Sequence, residues 1–363
     1  MNNQFSRRQL VKSLSALGAL SLTPGGVLMA AAPTKKLGVA LVGLGNYSET
    51  ILAPALELTQ HCYLAGIVTG TPSKIEKWQK RYSIPDANVY NYDNMHELAN
   101  NPAIDVVYIV TPTGLHKALT LKGANAGKHV WCEKPMAMNA KECQEMIDTC
   151  RKNKVQLTVG YRMQHEPNTQ QFVRWAKEKP YGKINEVIAE AGYRDGSTEY
   201  HWRADKALGG GAMYDMGVYP LNAARYTLGE EPIAVTAKQE TIKPLYKDVD
   251  ETMWFDLEFA SGAIARCCTS YAKQMNHLRA NCEKGWYELN PFQSYSGIKG
   301  STSDGKVFKD EIANQQAWQM DNDALAIINK RAPLVPGEEG MRDIQIIESI
   351  FASALSGKRV TLV

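Results

Sequence analysis

From Lys36 onward the chain alternates short apolar runs with amphipathic or polar helical stretches, the pattern of successive parallel strand-helix-strand units. Strands are predicted over residues 37–42, 63–68, 106–110, 129–132 and 155–159. Between them, helices are predicted over 47–58, 73–82, 114–126, with Gly127 as its stop, and 140–152. This is a doubly wound parallel sheet of the Rossmann type over residues 33–160. After it the pattern changes. Segments 184–193, 234–240, 252–258 and 263–270 alternate with period two, which predicts an open, mostly antiparallel sheet. Helices over 315–329 and 341–355, the latter closed by Gly357, complete a C-terminal α+β domain spanning 161–363, and 290–304 reads as a long loop. The fold class is therefore α/β, with a second domain for substrate binding and oligomerisation.

A chain of 363 residues, 44% of them hydrophobic, can bury two cores of ordinary size. Lys and Arg total 41 against 38 Asp and Glu, and a net charge of +3 gives no field that argues for nucleic acid. The 7 cysteines form no CxxC pair and no zinc-type Cys/His spacing, so they read as small buried side chains and no metal site is expected. Residues 1–32 differ in kind: Ser6-Arg7-Arg8-Gln9-Leu10-Val11-Lys12 precedes a mildly apolar stretch and a small-residue run ending at Ala32. This reads as a twin-arginine export signal, with the export machinery as partner and the periplasm as destination. Its apolar part is too short to anchor stably in a bilayer. Because that route carries folded proteins, a dinucleotide can be acquired in the cytoplasm and carried out, and an odd cysteine count is compatible with folding in a reducing compartment.

Gly43-Leu44-Gly45-Asn46-Tyr47-Ser48 directly follows the first strand and opens the first helix. There Gly43 permits the tight turn, Gly45 lets the backbone approach a pyrophosphate, and the helix N-terminus favours its charge. Ser48 replaces the usual third glycine without preventing close packing. An NAD-selective site places a carboxylate at the end of the second strand, but this chain reads Val68-Thr69-Gly70-Thr71-Pro72-Ser73-Lys74. Thr69, Ser73 and Lys74 suit a 2′-phosphate, so NADP is favoured over NAD.

Two further segments end strands at the same edge: Thr111-Pro112-Thr113-Gly114-Leu115-His116 and Cys132-Glu133-Lys134-Pro135. With its Glu-Lys-Pro triplet the chain resembles the glucose-fructose oxidoreductase, inositol dehydrogenase and rhizopine-catabolism family, and most closely its glucose-fructose oxidoreductase-like branch. The resemblance runs from Leu37 to Val363. It implies that Lys134 lies beside the nicotinamide and the reacting carbinol and polarises its oxygen, while Glu133 orients the ribose or the lysine. The second-domain signature is Gly209-Gly210-Gly211-Ala212-Met213-Tyr214-Asp215-Met216-Gly217-Val218-Tyr219-Pro220-Leu221-Asn222. Most of the family carries Asp, three residues, His, two residues, Asp. Here Tyr219 takes the histidine's place and Asn222 that of the last aspartate. If this stretch is helical, Asp215 and Tyr219 share a face. Tyr219 is then the acid/base, its phenolate stabilised by Lys134, with Asp215 beside it.

The remaining correspondences are softer. Tyr161 and Asn222 join Lys134, Asp215 and Tyr219 as substrate contacts, Arg162 and Arg203 are phosphate contacts, Trp202 walls the nicotinamide, and Thr111, Pro112 and His116 neighbour the cofactor. The segment Pro336-Gly337-Glu338-Glu339 reads as a structural helix entry. The expected function is an exported NADP-dependent sugar oxidoreductase acting on an aldose or polyol, its cofactor recycled between two sugars, in a homodimer or homotetramer that covers the open sheet. Two alternatives are an NAD-dependent glycosidase using transient sugar oxidation and a non-catalytic dinucleotide sensor. The presence of Lys134, Asp215 and Tyr219 weighs against the sensor.

Overall fold

Six strands with no room for polar faces form the first sheet: β1 (Leu37–Val42), β2 (Cys62–Val68), β3 (Val89–Tyr90), β4 (Val106–Ile109), β5 (His129–Cys132) and β6 (Leu157–Val159). The computed structural model describes residues 36–362, so the expected export signal over 1–32 lies outside the described residues. Every residue of β1 and β4 is buried, as a parallel sheet covered on both faces requires. The strand order β3-β2-β1-β4-β5-β6 is that of a dinucleotide-binding sheet. Its register aligns Val42 with Val68 and Ile109, Ile109 with Cys132, and Cys132 with Val159. The residues just past these pairs, from Gly43 to Gly160, therefore share one carboxyl edge.

The second sheet has nine strands: β7 (Ile184–Gly192), β8 (Pro232–Glu240), β9 (Thr252–Phe259), β10 (Ile264–Ser270), β11 (Met275–Cys282), β12 (Gly285–Leu289), β13 (Gly300–Thr302), β14 (Val307–Phe308) and β15 (Val360–Thr361). Only the β7/β10 pair is parallel; the other pairs are antiparallel. The sequence does not show β11 and β12 clearly: in Met275–Cys282 only Leu278 and Ala280 are fully buried, and polar Asn276, His277, Arg279 and Asn281 break the alternation. Nor does it show the helix Pro167–Glu178, which Glu166 caps by accepting from the Thr169 N–H at 2.6 Å and which Phe172 anchors in the core.

The expected boundary at residue 160 separates the sheets but not the packing. Helix Gln315–Ile328 returns to the first sheet, where Ala317, Met320 and Ala324 share a core with Val39, Leu41, Val106 and Tyr108. Helix Gly337–Ser356 packs on helix Ala140–Lys152 and β6, so closely that a Cβ on Gly337 would lie 2.9 Å from Ile147 and Leu157. All seven cysteines are free and none is exposed. Among the described residues, no helix is long and apolar enough to cross a membrane.

The triple glycine between the sheets is held from below by Asp250, whose carboxylate accepts from the Met213 N–H at 2.7 Å. Gly211 has φ +105°, and a Cβ there would strike Asp250. Burial pushes the Asp250 carboxyl up to about 6, against the pull of that hydrogen bond. Above an unfolded value near ~3.9 the unfolded chain has released a proton that the fold still holds. Stability should therefore fall as pH rises from about 4 to about 6, by on the order of 3 kcal/mol, and level off above. Asp250→Asn should flatten that segment of a urea-unfolding profile against pH; an unchanged slope would remove Asp250 as its source.

Candidate active site

The first turn after β1 is built for a close backbone approach. Gly43 has φ +95°, and a Cβ on it would lie 2.6 Å from the Val110 carbonyl, so only glycine fits. At Gly45 a Cβ would meet nothing within 4 Å, leaving open space beside the N-terminus of the helical segment from Ser48 to Leu56. Ser48 closes the loop by donating to the Gly43 carbonyl at 2.6 Å, and Leu44 is buried beneath it while Asn46 is exposed. On the neighbouring strand end, half-buried Pro112 follows Thr111, whose buried hydroxyl has no partner. An open glycine cradle and an unsatisfied hydroxyl at one sheet edge fit a dinucleotide.

At the far corner of this loop Lys74 Nζ donates to the Leu44 carbonyl at 2.6 Å, and Ser73 is exposed beside it. Thr69 is buried behind them, its hydroxyl accepting from the Thr71 N–H at 3.0 Å.

Glu133-Lys134-Pro135 follows β5 at the centre of the edge. Glu133 is buried, accepts from Tyr108 at 2.6 Å, and is raised above the ordinary carboxylate range by that burial. Lys134 crosses to the second sheet. Its Nζ donates to the Asp215 carbonyl at 2.6 Å, lies 3.8 Å from the Asp215 carboxylate, and sits 5.0 Å from the centre of the Tyr219 ring. The stretch is helical as the four-residue spacing required, through a π-turn at Met213–Gly217 leading into helix Val218–Leu228.

Asp215 is fixed from three other directions: Arg203 Nε at 2.8 Å, Tyr271 OH at 3.2 Å and Tyr193 OH at 3.3 Å. Burial works to raise its carboxyl, but Lys134 and Arg203 outweigh burial and hold it below the ordinary range, so it stays ionised. Tyr193 and Tyr271 escaped the sequence reading. They directly follow the parallel pair β7 and β10, whose ends align Gly192 with Ser270, and that adjacency is invisible without the register.

Several expected contacts are corrected. Arg203, expected at a phosphate, turns its Nε to Asp215 at 2.8 Å and lies on the face of Trp202, 4.4 Å from the ring centre. Arg162 is buried, its guanidinium donating to the Ser294 carbonyl at 3.2 Å, the Gln293 carbonyl and the Gln315 side chain. It lies 5.5 Å from the Tyr219 ring centre and 4.6 Å from that of Tyr295, which itself stacks on Tyr47 at 6.3 Å. The loop containing Tyr295 gave no signal in sequence beyond its length.

Tyr161 is buried in the core, its phenol raised by burial and by nearby Asp343. Asn222 likewise turns away, donating to Glu339 at 3.3 Å and Asp343 at 3.2 Å within the cluster that neutralises buried Arg225. Neither residue is with Lys134. His116 is fully enclosed between the two loops, with Nε2 2.8 Å from the Thr111 carbonyl and Nδ1 2.9 Å from the Pro135 carbonyl; burial lowers its pKa, so the neutral ring donates to one of them, and both nitrogens face backbone rather than a cofactor.

An open cavity of about 670 Å³ adjoins Asp215 through Tyr193 and Arg203 and is otherwise walled by residues 195–201. Asp195 shapes this wall by accepting from Tyr246 and from Ser197 Oγ at 2.7 Å. Among the described residues, no group of three or more His, Cys, Asp or Glu side chains converges as a metal ion would need.

Residues 37–161 match the family model described as "Oxidoreductase family, NAD-binding Rossmann fold", and residues 169–288 match "GFO/IDH/MocA C-terminal domain". The chain is 27% identical over 348 residues to an NADP(+) D-xylose 1-dehydrogenase of Haloarcula marismortui, covering 89% of this chain and 92% of that protein. It is 27% identical over 357 residues to a D-glucoside 3-dehydrogenase of Escherichia coli, covering 92% and 100%. The crystal structure of an aldose-aldose oxidoreductase from Caulobacter crescentus, complexed with glycerol, matches with a TM-score of 0.86 and 37% identity, over 90% of this chain and 100% of that one. With two family models matching residues 37–161 and 169–288, more than half of the chain, the chain belongs to the GFO/IDH/MocA family of NAD(P)-dependent oxidoreductases.

Proposed function

We propose that the protein is an exported, NADP-dependent sugar oxidoreductase of the glucose-fructose oxidoreductase-like branch, acting on an aldose or related polyol and recycling a held cofactor between two sugars. The observation that carries the reading is the position of Lys134, which reaches both Asp215 and Tyr219 from the sheet edge that fits a dinucleotide. The relatives named above include two whose names specify aldoses, and one of them names NADP(+). Oxidation of a carbinol removes a hydride, which a bound nicotinamide accepts, and a proton, which a protein group must take. Tyr219 is that group, and the Lys134 ammonium stabilises negative charge on the reacting oxygen. Asp215, held ionised by Arg203 and Lys134, accepts a neighbouring sugar hydroxyl and orients the carbinol.

For the cofactor, Gly43, Gly45 and the adjoining helix start would hold the pyrophosphate, and Ser73 with Lys74 the 2′-phosphate; no carboxylate follows β2 to select a free 2′-hydroxyl. Export by the twin-arginine route to the periplasm, where free nucleotide is scarce, favours retention and exchange between two sugars. A homo-oligomer would cover the open sheet.

Purification without added nucleotide should yield protein carrying NADP, and the nicotinamide absorbance should rise on adding an aldose and fall on adding a second sugar. Recovery of NAD would overturn the reading of Ser73 and Lys74. Lys134→Ala and Tyr219→Phe should each cut turnover by ~10²–10⁴ while nucleotide stays bound; an unimpaired rate in either variant removes that residue from the chemistry. Arg162→Lys separates the two roles of that arginine: packed on Tyr219, it should depress turnover about tenfold or more with little change in nucleotide affinity, because a lysine cannot reproduce its planar fork. Loss of nucleotide with unchanged chemistry would restore the phosphate role.

A further inference from the structure

A second cavity lies on the other side of the elements that clamp Arg162. It encloses about 400 Å³ between the short helix Arg162–His165, helix Pro167–Glu178 and helix Gln315–Ile328, which is room for one small ligand. We propose that it binds a small polyhydroxy carboxylate, the class of compound an aldose becomes when its anomeric carbon is oxidised and the lactone opens.

The charge comes first. Two guanidinium groups, of Arg174 and Arg331, line the cavity against one carboxylate, that of Asp310. Neither arginine forms an ion pair within 4 Å among the described residues, although Arg331 lies near enough to the buried Asp323 carboxyl to pull its pKa down against the burial that raises it; Arg174 donates to the Gln171 amide at 2.6 Å. Arg331 is exposed, so its fork is free to take a carboxylate with paired hydrogen bonds.

Hydroxyl recognition comes from the inner wall. His165 is 1% exposed by side chain, yet neither of its ring nitrogens has a hydrogen-bond partner, and the nearest acid, Asp323, stands 3.9 Å away. Such a buried, unpaired ring is costly unless something in the cavity pairs with it. Burial, and secondarily Arg331, push His165 down to about 4, so at neutral pH it offers one donor and one acceptor. Nε2 faces the Asp323 carboxyl, which leaves Nδ1 for a ligand hydroxyl. Gln170 and Asn322 place their NH2 groups on the Gln164 and Trp318 carbonyls, which leaves two amide oxygens as acceptors for further hydroxyls.

Trp318 stands at the rim with its side chain about half exposed (49%), an apolar plate for the CH face of a sugar chain. Helix Gln315–Ile328 carries Trp318 and Asn322 toward this cavity and Gln315 toward Arg162, so the ligand would rest against the element that fixes Arg162 under Tyr219.

The link to an oxidised sugar rests on the function proposed above, whereas binding can be measured without turnover. Titration calorimetry on the full chain with its own nucleotide, in saturating sorbitol to occupy the active site without a carboxylate, should show one site for sodium D-gluconate. Arg331→Gln and Trp318→Ala should each weaken that site about tenfold or more, with aldose turnover unchanged. Gluconate binding that is absent, fully competed by sorbitol, or indifferent to both substitutions overturns the proposal. Gluconate binding by a protein that turns over no aldose would instead overturn the proposed function and leave this site standing.

Discussion

The hydrogen bond from Lys134 to the Asp215 carbonyl is the constraint on which the rest of the site depends. One partner is the residue just past a central strand of the parallel sheet; the other lies in a π-turn that precedes a helix covering the second sheet. A mostly buried ammonium is tolerated only where its charge is answered, and here the answer is shared among a carbonyl, a carboxylate and an aromatic face. In the proposed reaction the same three groups that surround the Lys134 ammonium also surround the carbinol. Packing and chemistry therefore cannot be separated at this residue, and the sheets must hold their relative position for either to work.

That position is held by other buried cations used in the same way. Arg225 joins helix Val218–Leu228 to helix Gly337–Ser356 through Glu339 and Asp343, while Arg162 joins the end of the first sheet to the loop carrying Tyr295. Removing one partner of such a pair typically costs ~3–5 kcal/mol, because the other charge is left buried and unanswered. His116 fills the space between the Thr111 and Pro135 carbonyls, so the turn bearing Lys134 is packed against the neighbouring strand end.

What the sequence made legible was whatever is local along the chain. The parallel strands showed as apolar runs, the glycine loop as a motif after the first of them, and Lys134 through its neighbours in the triplet. Asp215 and Tyr219 could be placed on one face from their spacing alone. The partners of Asp215 could not: Tyr193 and Tyr271 meet because β7 and β10 run in register, and Arg203 arrives from a loop. Arg162 was visible as a residue but misread, because an arginine beside a predicted cofactor looks like a phosphate ligand until its burial is known. Strand β11 was missed for a related reason, since only two of its side chains are fully buried and the rest look like loop.

The two departures from the family pattern have different physical origins. At position 222 the usual aspartate would stand against Glu339 and Asp343, which already share the Arg225 guanidinium, and a further carboxylate in that buried space would be repelled. An amide instead donates to both acids and accepts from Gln164 at 3.0 Å, so Asn222 completes the cluster without adding charge. At position 219 the constraint is the pair of cations, Lys134 and Arg162, that lie against the ring. An imidazole between them would become a third positive charge each time it took a proton, whereas a phenol adds no positive charge in either form. The tyrosine and the asparagine are thus separate adjustments, one to neighbouring cations and one to neighbouring anions.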